Sequence, residues 1–210
     1  GFVGVLGSGL IGGSFWSFAA IYGRSLGMSD IQAAGFVVAS IAGGAVLQWP
    51  IGWLSDRFDR RVVLLGVSVG TMLSVAAFTL LHSTSLTVIY AIAVAFGGFL
   101  FSIYGLGVAQ TYDRFQVSEV LEATKGMLMV HGIGSALGPI ITGLALALHP
   151  DGFPITLAVL AGLLGVFTLI RLWRDAPVRP EEKTVFALME SVSPVAMDMD
   201  PRSPDPEPIE

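Results

Sequence analysis

Six apolar runs, each about long enough to cross a bilayer and each ended by a short polar stretch, leave this chain few ways to fold. They lie at roughly Phe2–Tyr22, Ile31–Leu54, Val62–Leu81, Leu86–Val108, Ala123–Leu148 and Ile155–Trp173. A helix rises about 1.5 Å per residue, so about 20 residues span the ~30 Å hydrocarbon core. In lipid every backbone N–H and C=O must be satisfied within the segment, which selects helix. Six buried helices of a soluble protein would need a polar shell. This chain has none: 53% of its residues are hydrophobic, 13% are charged, and its mean hydropathy is +0.75. Soluble domains carry about a quarter charged residues. The expected fold is an all-α membrane protein of six transmembrane helices.

Charge placement tests that reading independently. Ten of the eleven Lys and Arg residues fall in the second connector, at the edges of the fourth, or at and beyond the end of the last span. Only Arg24 lies among the first, third and fifth connectors, "GRSLGMSD", "HSTS" and "HPDGFP". The positive-inside rule then puts Arg57, Arg60, Arg61, Arg114, Lys125 and the C-terminal tail in the cytoplasm. The chain is expected in the inner (plasma) membrane, multi-pass, with a lipid bilayer as its first partner. There is no cysteine, so no thiol chemistry or disulfide framework. Nothing basic enough for nucleic acid stands out. No metal site, cofactor or catalytic constellation is read, and the chain is not expected to be an enzyme. It opens on Gly1 without a charged leader, which is read as a truncation.

One motif points elsewhere. Gly7-Ser8-Gly9-Leu10-Ile11-Gly12 fits G-x-G-x-x-G, Phe2 to Leu6 offers a strand before it, and Asp30 stands near the place of a ribose-binding acid. A dinucleotide fold then needs further βαβ units, whereas another long apolar span follows. Gly9 and Gly13 also form G-x-x-x-G, with Ser8 and Gly12 beside them, a pattern that lets helix backbones approach closely. The glycines are therefore read as packing residues, with a nucleotide-binding oxidoreductase as the remote alternative. A six-span structural or signalling homodimer is the other.

The second connector is the most informative stretch. "PIGWLSDRFDRRVVLLG" gives Gly52-x-x-x-Asp56-Arg57-x-x-Arg60-Arg61 between two spans. This resembles the signature loop of the major facilitator superfamily, with Asp59 standing where the family pattern prefers glycine. The segment "GLGVAQTYDRFQVSEVLEATKGMLMVHGIGSALGPIITG" is similar to the tenth and eleventh helices of small bacterial permeases, particularly the YcaD-like branch. The resemblance covers about residues 1–175. It implies one half of a twelve-helix transporter, the C-terminal one, with the N-terminal six-helix half as the missing partner and a small solute as cargo. It further implies that Asp56 and its arginine form a cytoplasmic latch with that half, making Gly52, Asp56, Arg57, Arg60 and Arg61 a gating loop. The arginines are also expected to meet anionic headgroups.

Gly134, Gly138 and Pro139 form a second signal, read with Gly9 and Gly13 as packing or hinge positions. Pro50 is expected to bend the second span. An ionisable residue deep in a span is a functional candidate, and His131 is the one titratable residue well inside. With Trp16 and Tyr104 it is a candidate for the solute cavity, or else a helix-to-helix hydrogen bond. Phe15, Phe18, Tyr22, Tyr90, Gln48 and Gln110 are further candidates. Residues 1–175 are read as the membrane bundle. Residues 176–210, acidic and proline-rich, are read as a cytoplasmic tail without fixed structure.

Overall fold

In the computed structural model, residues 1–80, 85–115 and 119–174 are described. Six helices follow one another: α1 Phe2–Ser25, α2 Asp30–Arg57, α3 Arg60–Leu80, α4 Leu86–Tyr112, α5 Val120–Leu148 and α6 Gly152–Arg174. All six are long and apolar enough to cross a membrane. The end of the third expected span at Leu81, most of "HSTS", and the tail at 176–210 lie outside the described residues.

Most helices run a few residues past the apolar limits expected from the sequence. Ser29 opens α2 with a capping box: its Oγ accepts from Gln32 N–H at 3.3 Å, and Gln32 Oε1 accepts from Ser29 N–H at 2.9 Å. Just upstream, α1 stops where Gly27 takes a positive φ of 82°, a backbone conformation that glycine adopts without penalty.

The helices do not pack in chain order. The main contacts pair α1 with α5, α2 with α4, and α3 with α6, with α1 and α4 also meeting at the centre. The polarity of the packing is that of a protein dissolved in lipid. Val46, Trp49, Leu73, Ile140, Leu144 and Leu163 are exposed, while Ser14, Ser40, Ser68, Thr71, Ser102, Thr142 and Thr168 are buried. Most of these buried hydroxyls donate to the carbonyl one turn back, as Ser40 does to Phe36 O and Thr168 to Leu164 O.

Glycine makes the two closest crossings. On α1, a methyl at Gly9 would strike His131 O and one at Gly13 would strike Ser135 O; on α5, Gly134 and Gly138 are crowded by Leu6 O and Leu10 O. The hydroxyls of Ser14 and Thr142 join the same pair of helices at 2.9 Å. The α2–α4 crossing repeats the device with Gly43 against Val94 O and Gly97 against Ser40 O. The G-x-G-x-x-G stretch lies within the continuous helix α1, and no strand occurs among the described residues. It presents neither the strand–turn–helix geometry nor the free helix N-terminus that binds a pyrophosphate.

Candidate functional site: an ion cluster at one end and an aromatic wall inside

The loop between α2 and α3 is two residues long, Phe58 and Asp59. Asp59 ends the turn and starts α3. Its carbonyl accepts from Val62 and Val63 N–H, and its Oδ1 accepts from Arg61 N–H at 2.9 Å. The same carboxylate receives the Arg61 side chain in two places, Nε at 3.1 Å and Nη2 at 2.7 Å. The third reach of Arg61 crosses the bundle: Nη1 donates to the carbonyl of Arg171 in the last turn of α6, at 3.2 Å. An aspartate in place of glycine thus caps a helix and anchors an arginine.

Arg60 points the other way. Its side chain is 2% exposed and lies 2.9 Å from Asp113 Oδ2 at the end of α4, itself 3% exposed, and 3.4 Å from Asp56 Oδ1. Gln110 Nε2 donates to the Arg60 carbonyl at 3.3 Å. Arg57 is exposed and stacks on the Trp53 ring at 3.9 Å. Gly52 is buried one turn before Asp56.

These contacts revise one expectation. Arg60 and Arg61 do not reach outward toward headgroups; both are buried and engaged by carboxylates, because a guanidinium inside protein needs a paired partner. Asp56 also meets Arg60 within this chain, at 3.4 Å, and its side chain stays one-third exposed. The four arginines Arg60, Arg61, Arg114 and Arg171 with Asp59 and Asp113 line one small cleft. The ends of α2, α4 and α6 therefore lie at one face of the bundle, as the charge pattern required.

The other sequence candidates lie within the membrane span. His131 Nδ1 sits 3.1 Å from Ser8 Oγ across the α1–α5 seam, and its ring meets Tyr104 of α4 edge-on at 4.9 Å. Trp16 is 56% exposed and touches Phe15 and Phe101, with ring centroids 5.5 and 5.9 Å away. Gln48 donates to Phe101 O at 3.0 Å and Tyr90 to Gln32 O at 3.0 Å, so both tie helices together. Pro50 and Pro139 lie inside unbroken helices α2 and α5. Phe15 and Tyr22 are core residues, and Phe18 packs against that core.

Sequence reasoning missed the partnership of Asp113 with Arg60 and the α2–α4 glycine seam. The glycine seam had a signal in the paired glycines of "SIAGGAV" and "FGGFL". The ion pair had none, since its members are far apart in the chain and unrelated in spacing.

A model of the Major Facilitator Superfamily matches residues 1–201. An uncharacterized MFS-type transporter of Yersinia pestis (strain Pestoides F) is 27% identical over 176 residues, which make up 82% of this chain and 43% of that protein. A second, from Yersinia enterocolitica, is 27% identical over 191 residues, 89% of this chain and 46% of the relative. The uncharacterized MFS-type transporter YcaD of Escherichia fergusonii is 25% identical over 170 residues, 80% and 42% of the two chains. The chain spans less than half the length of these curated relatives.

Proposed function

This chain belongs to the Major Facilitator Superfamily, and we propose that it forms one half of a carrier that moves a small solute across the membrane by alternating access. It is a multi-pass membrane protein of a transporter family. In the proposed cycle two six-helix bundles rock about a mid-membrane site, opening it to one side and then the other. We assign this chain to the C-terminal half, with the loop at 52–61 facing the cytoplasm.

The observation that carries the reading is the separation of full charges from the interior of the spans. Full charges are gathered at the helix ends, where Asp56, Arg60 and Asp113 join α2, α3 and α4. The span interior instead holds the partly buried His131, Tyr104 and Phe101 beside the exposed Trp16. A clamp at one end and an uncharged wall at mid-depth are what a gated solute pathway requires. Asp56 is one-third exposed at its side chain, which leaves it an open side toward a second half.

The test is access. The full-length protein carrying Trp16→Cys, with any other cysteines replaced, is labelled with a membrane-impermeant maleimide from each side in turn. Alternating access predicts modification from both sides, and from one side only once the cytoplasmic ends are cross-linked. Modification from a single side under every condition would overturn the proposal.

A further inference from the structure

The cleft at the charged end of the bundle is lined by four arginines, Arg60, Arg61, Arg114 and Arg171, against two aspartates, Asp59 and Asp113. Arg60 and Arg61 already engage those two carboxylates. Asp56, 3.4 Å from Arg60, adds a third carboxylate beside the cleft and still leaves positive charge in excess. Arg114, just past the end of α4, is exposed and forms no salt bridge among the described residues. Arg171 is half-buried in the last turn of α6, which ends at Arg174. The cleft holds about 20 Å³ of free space. One water needs about 10–15 Å³, so the edge of a flat carboxylate can enter where a tetrahedral phosphate would stop at the mouth.

The chain itself supplies carboxylates at this place. Beyond Arg174 the sequence carries nine Asp and Glu against three Arg and Lys. The first of these acids is Asp175, and the first adjacent pair is Glu181 with Glu182. Glu181 follows Arg174 by seven residues, an extended reach of up to about 25 Å, and Arg171 stands one turn before Arg174. The acidic pair can therefore come to the cleft without any movement of the helices. A carboxylate takes a guanidinium through two parallel hydrogen bonds. One exposed pair of this kind is weak, but the tether keeps these acids at high local concentration. Arg61 bridges Asp59 to the Arg171 carbonyl. A segment seated on Arg114 and Arg171 would thus join the ends of α4 and α6 to the two-residue turn between α2 and α3.

We propose that Glu181 and Glu182 dock on the arginine cleft, with Arg114 and Arg171 as their partners, and form an intramolecular clasp on the turn between α2 and α3. The clasp does not depend on the carrier reading, and its test reads proximity alone. The full-length protein, with any native cysteines replaced and one molecule per nanodisc, carries Phe115→Cys beside the cleft and Thr184→Cys beside the acidic pair. A short bis-maleimide then joins the two thiols. Glu181→Lys with Glu182→Lys, and separately Arg114→Glu, are each expected to slow cross-linking at least fivefold, and all three changes together to restore most of the rate. Molar salt is expected to slow it likewise, since exposed charges are screened. The tail substitutions lie outside the six helices, so a loss of rate there is not a loss of fold; the thermal midpoint is expected to hold. A rate indifferent to these charges, or no recovery in the triple variant, would overturn the proposal. So would the absence of cross-linking in every lipid, since the cleft would then be closed to the tail. Nanodiscs of phosphatidylcholine are compared with discs that also hold phosphatidylglycerol, and inorganic phosphate is added at fixed ionic strength. A rate abolished by phosphatidylglycerol assigns the cleft to a lipid headgroup, and one abolished by inorganic phosphate assigns it to a free anion; either result removes the clasp.

Discussion

Arg60 carries a full charge on a side chain that is 2% exposed, and Asp113 and Asp56 face it to offset that burial. Removing one partner of a buried pair costs about 3–5 kcal/mol, mostly from the charge left behind. Arg60→Ala is therefore expected to lower the thermal midpoint sharply, while the double change Arg60→Met with Asp113→Leu costs much less; melting in detergent compares them. Equal losses would mean that the pair is not a unit. Asp59 allows a finer division. Asp59→Asn keeps an oxygen to cap α3 but removes the charge beside Arg61, whereas Asp59→Gly also removes the cap, worth only a few tenths of a kcal/mol against glycine. Both are expected to loosen the Arg61 reach to Arg171, read as increased labelling of a thiol at the end of α6. At this scale the spacing of Asp56 to Arg61 was plain in the sequence. That Asp113 answers Arg60 was not, because contact across a fold leaves no spacing to read.

Helix pairs are held by absence of side chains as much as by their presence. The α1–α5 seam is built on Gly9, Gly13, Gly134 and Gly138, flanked by the Ser8–His131 and Ser14–Thr142 contacts. Adding bulk where backbone oxygens already touch forces the helices apart, at about 1–3 kcal/mol or more. Gly138→Leu and Gly97→Leu are expected to cut the yield of folded protein severalfold, judged by gel filtration. Gly12→Leu on the same helix should leave yield intact, so the contrast tests position and not glycine content. The G-x-x-x-G spacings on α1 and α5 were legible one helix at a time. Which helix each glycine met was not, and the α2–α4 seam went unread although Gly43, Gly44, Gly97 and Gly98 stand in pairs.

In the whole bundle, α2 and α5 are the least covered helices, with 28% and 22% of their apolar windows buried against 44–50% in the other four. Their outer residues, such as Val38, Val46, Ile140 and Leu144, are exposed and apolar, the condition of a surface meeting either lipid or a second bundle. The curated relatives are more than twice as long as the part matched here, and in the half-carrier reading these faces meet that remainder. Cysteines at Val46 and Leu144 of the full-length protein are then expected to escape a lipid-soluble maleimide that labels cysteines at Leu73 and Leu163. Labelling at all four positions would leave α2 and α5 facing lipid and remove the inter-half interface.

The number of helices, their approximate limits and the gathering of charge at one end were all determined by the sequence, because hydropathy and charge are summed along the chain and need no partner. The loop at 52–61 was legible for the same reason, its residues being close neighbours. Tertiary structure decided what those neighbours do. It turned Arg60 and Arg61 inward, since a buried guanidinium is stable only beside carboxylates that folding brings to it. It also sorted one cluster of glycines into Gly9 and Gly13, pressed against α5, and Gly12, opening onto space. A glycine reads the same in both places, and only the crossing of helices says which side of it is filled.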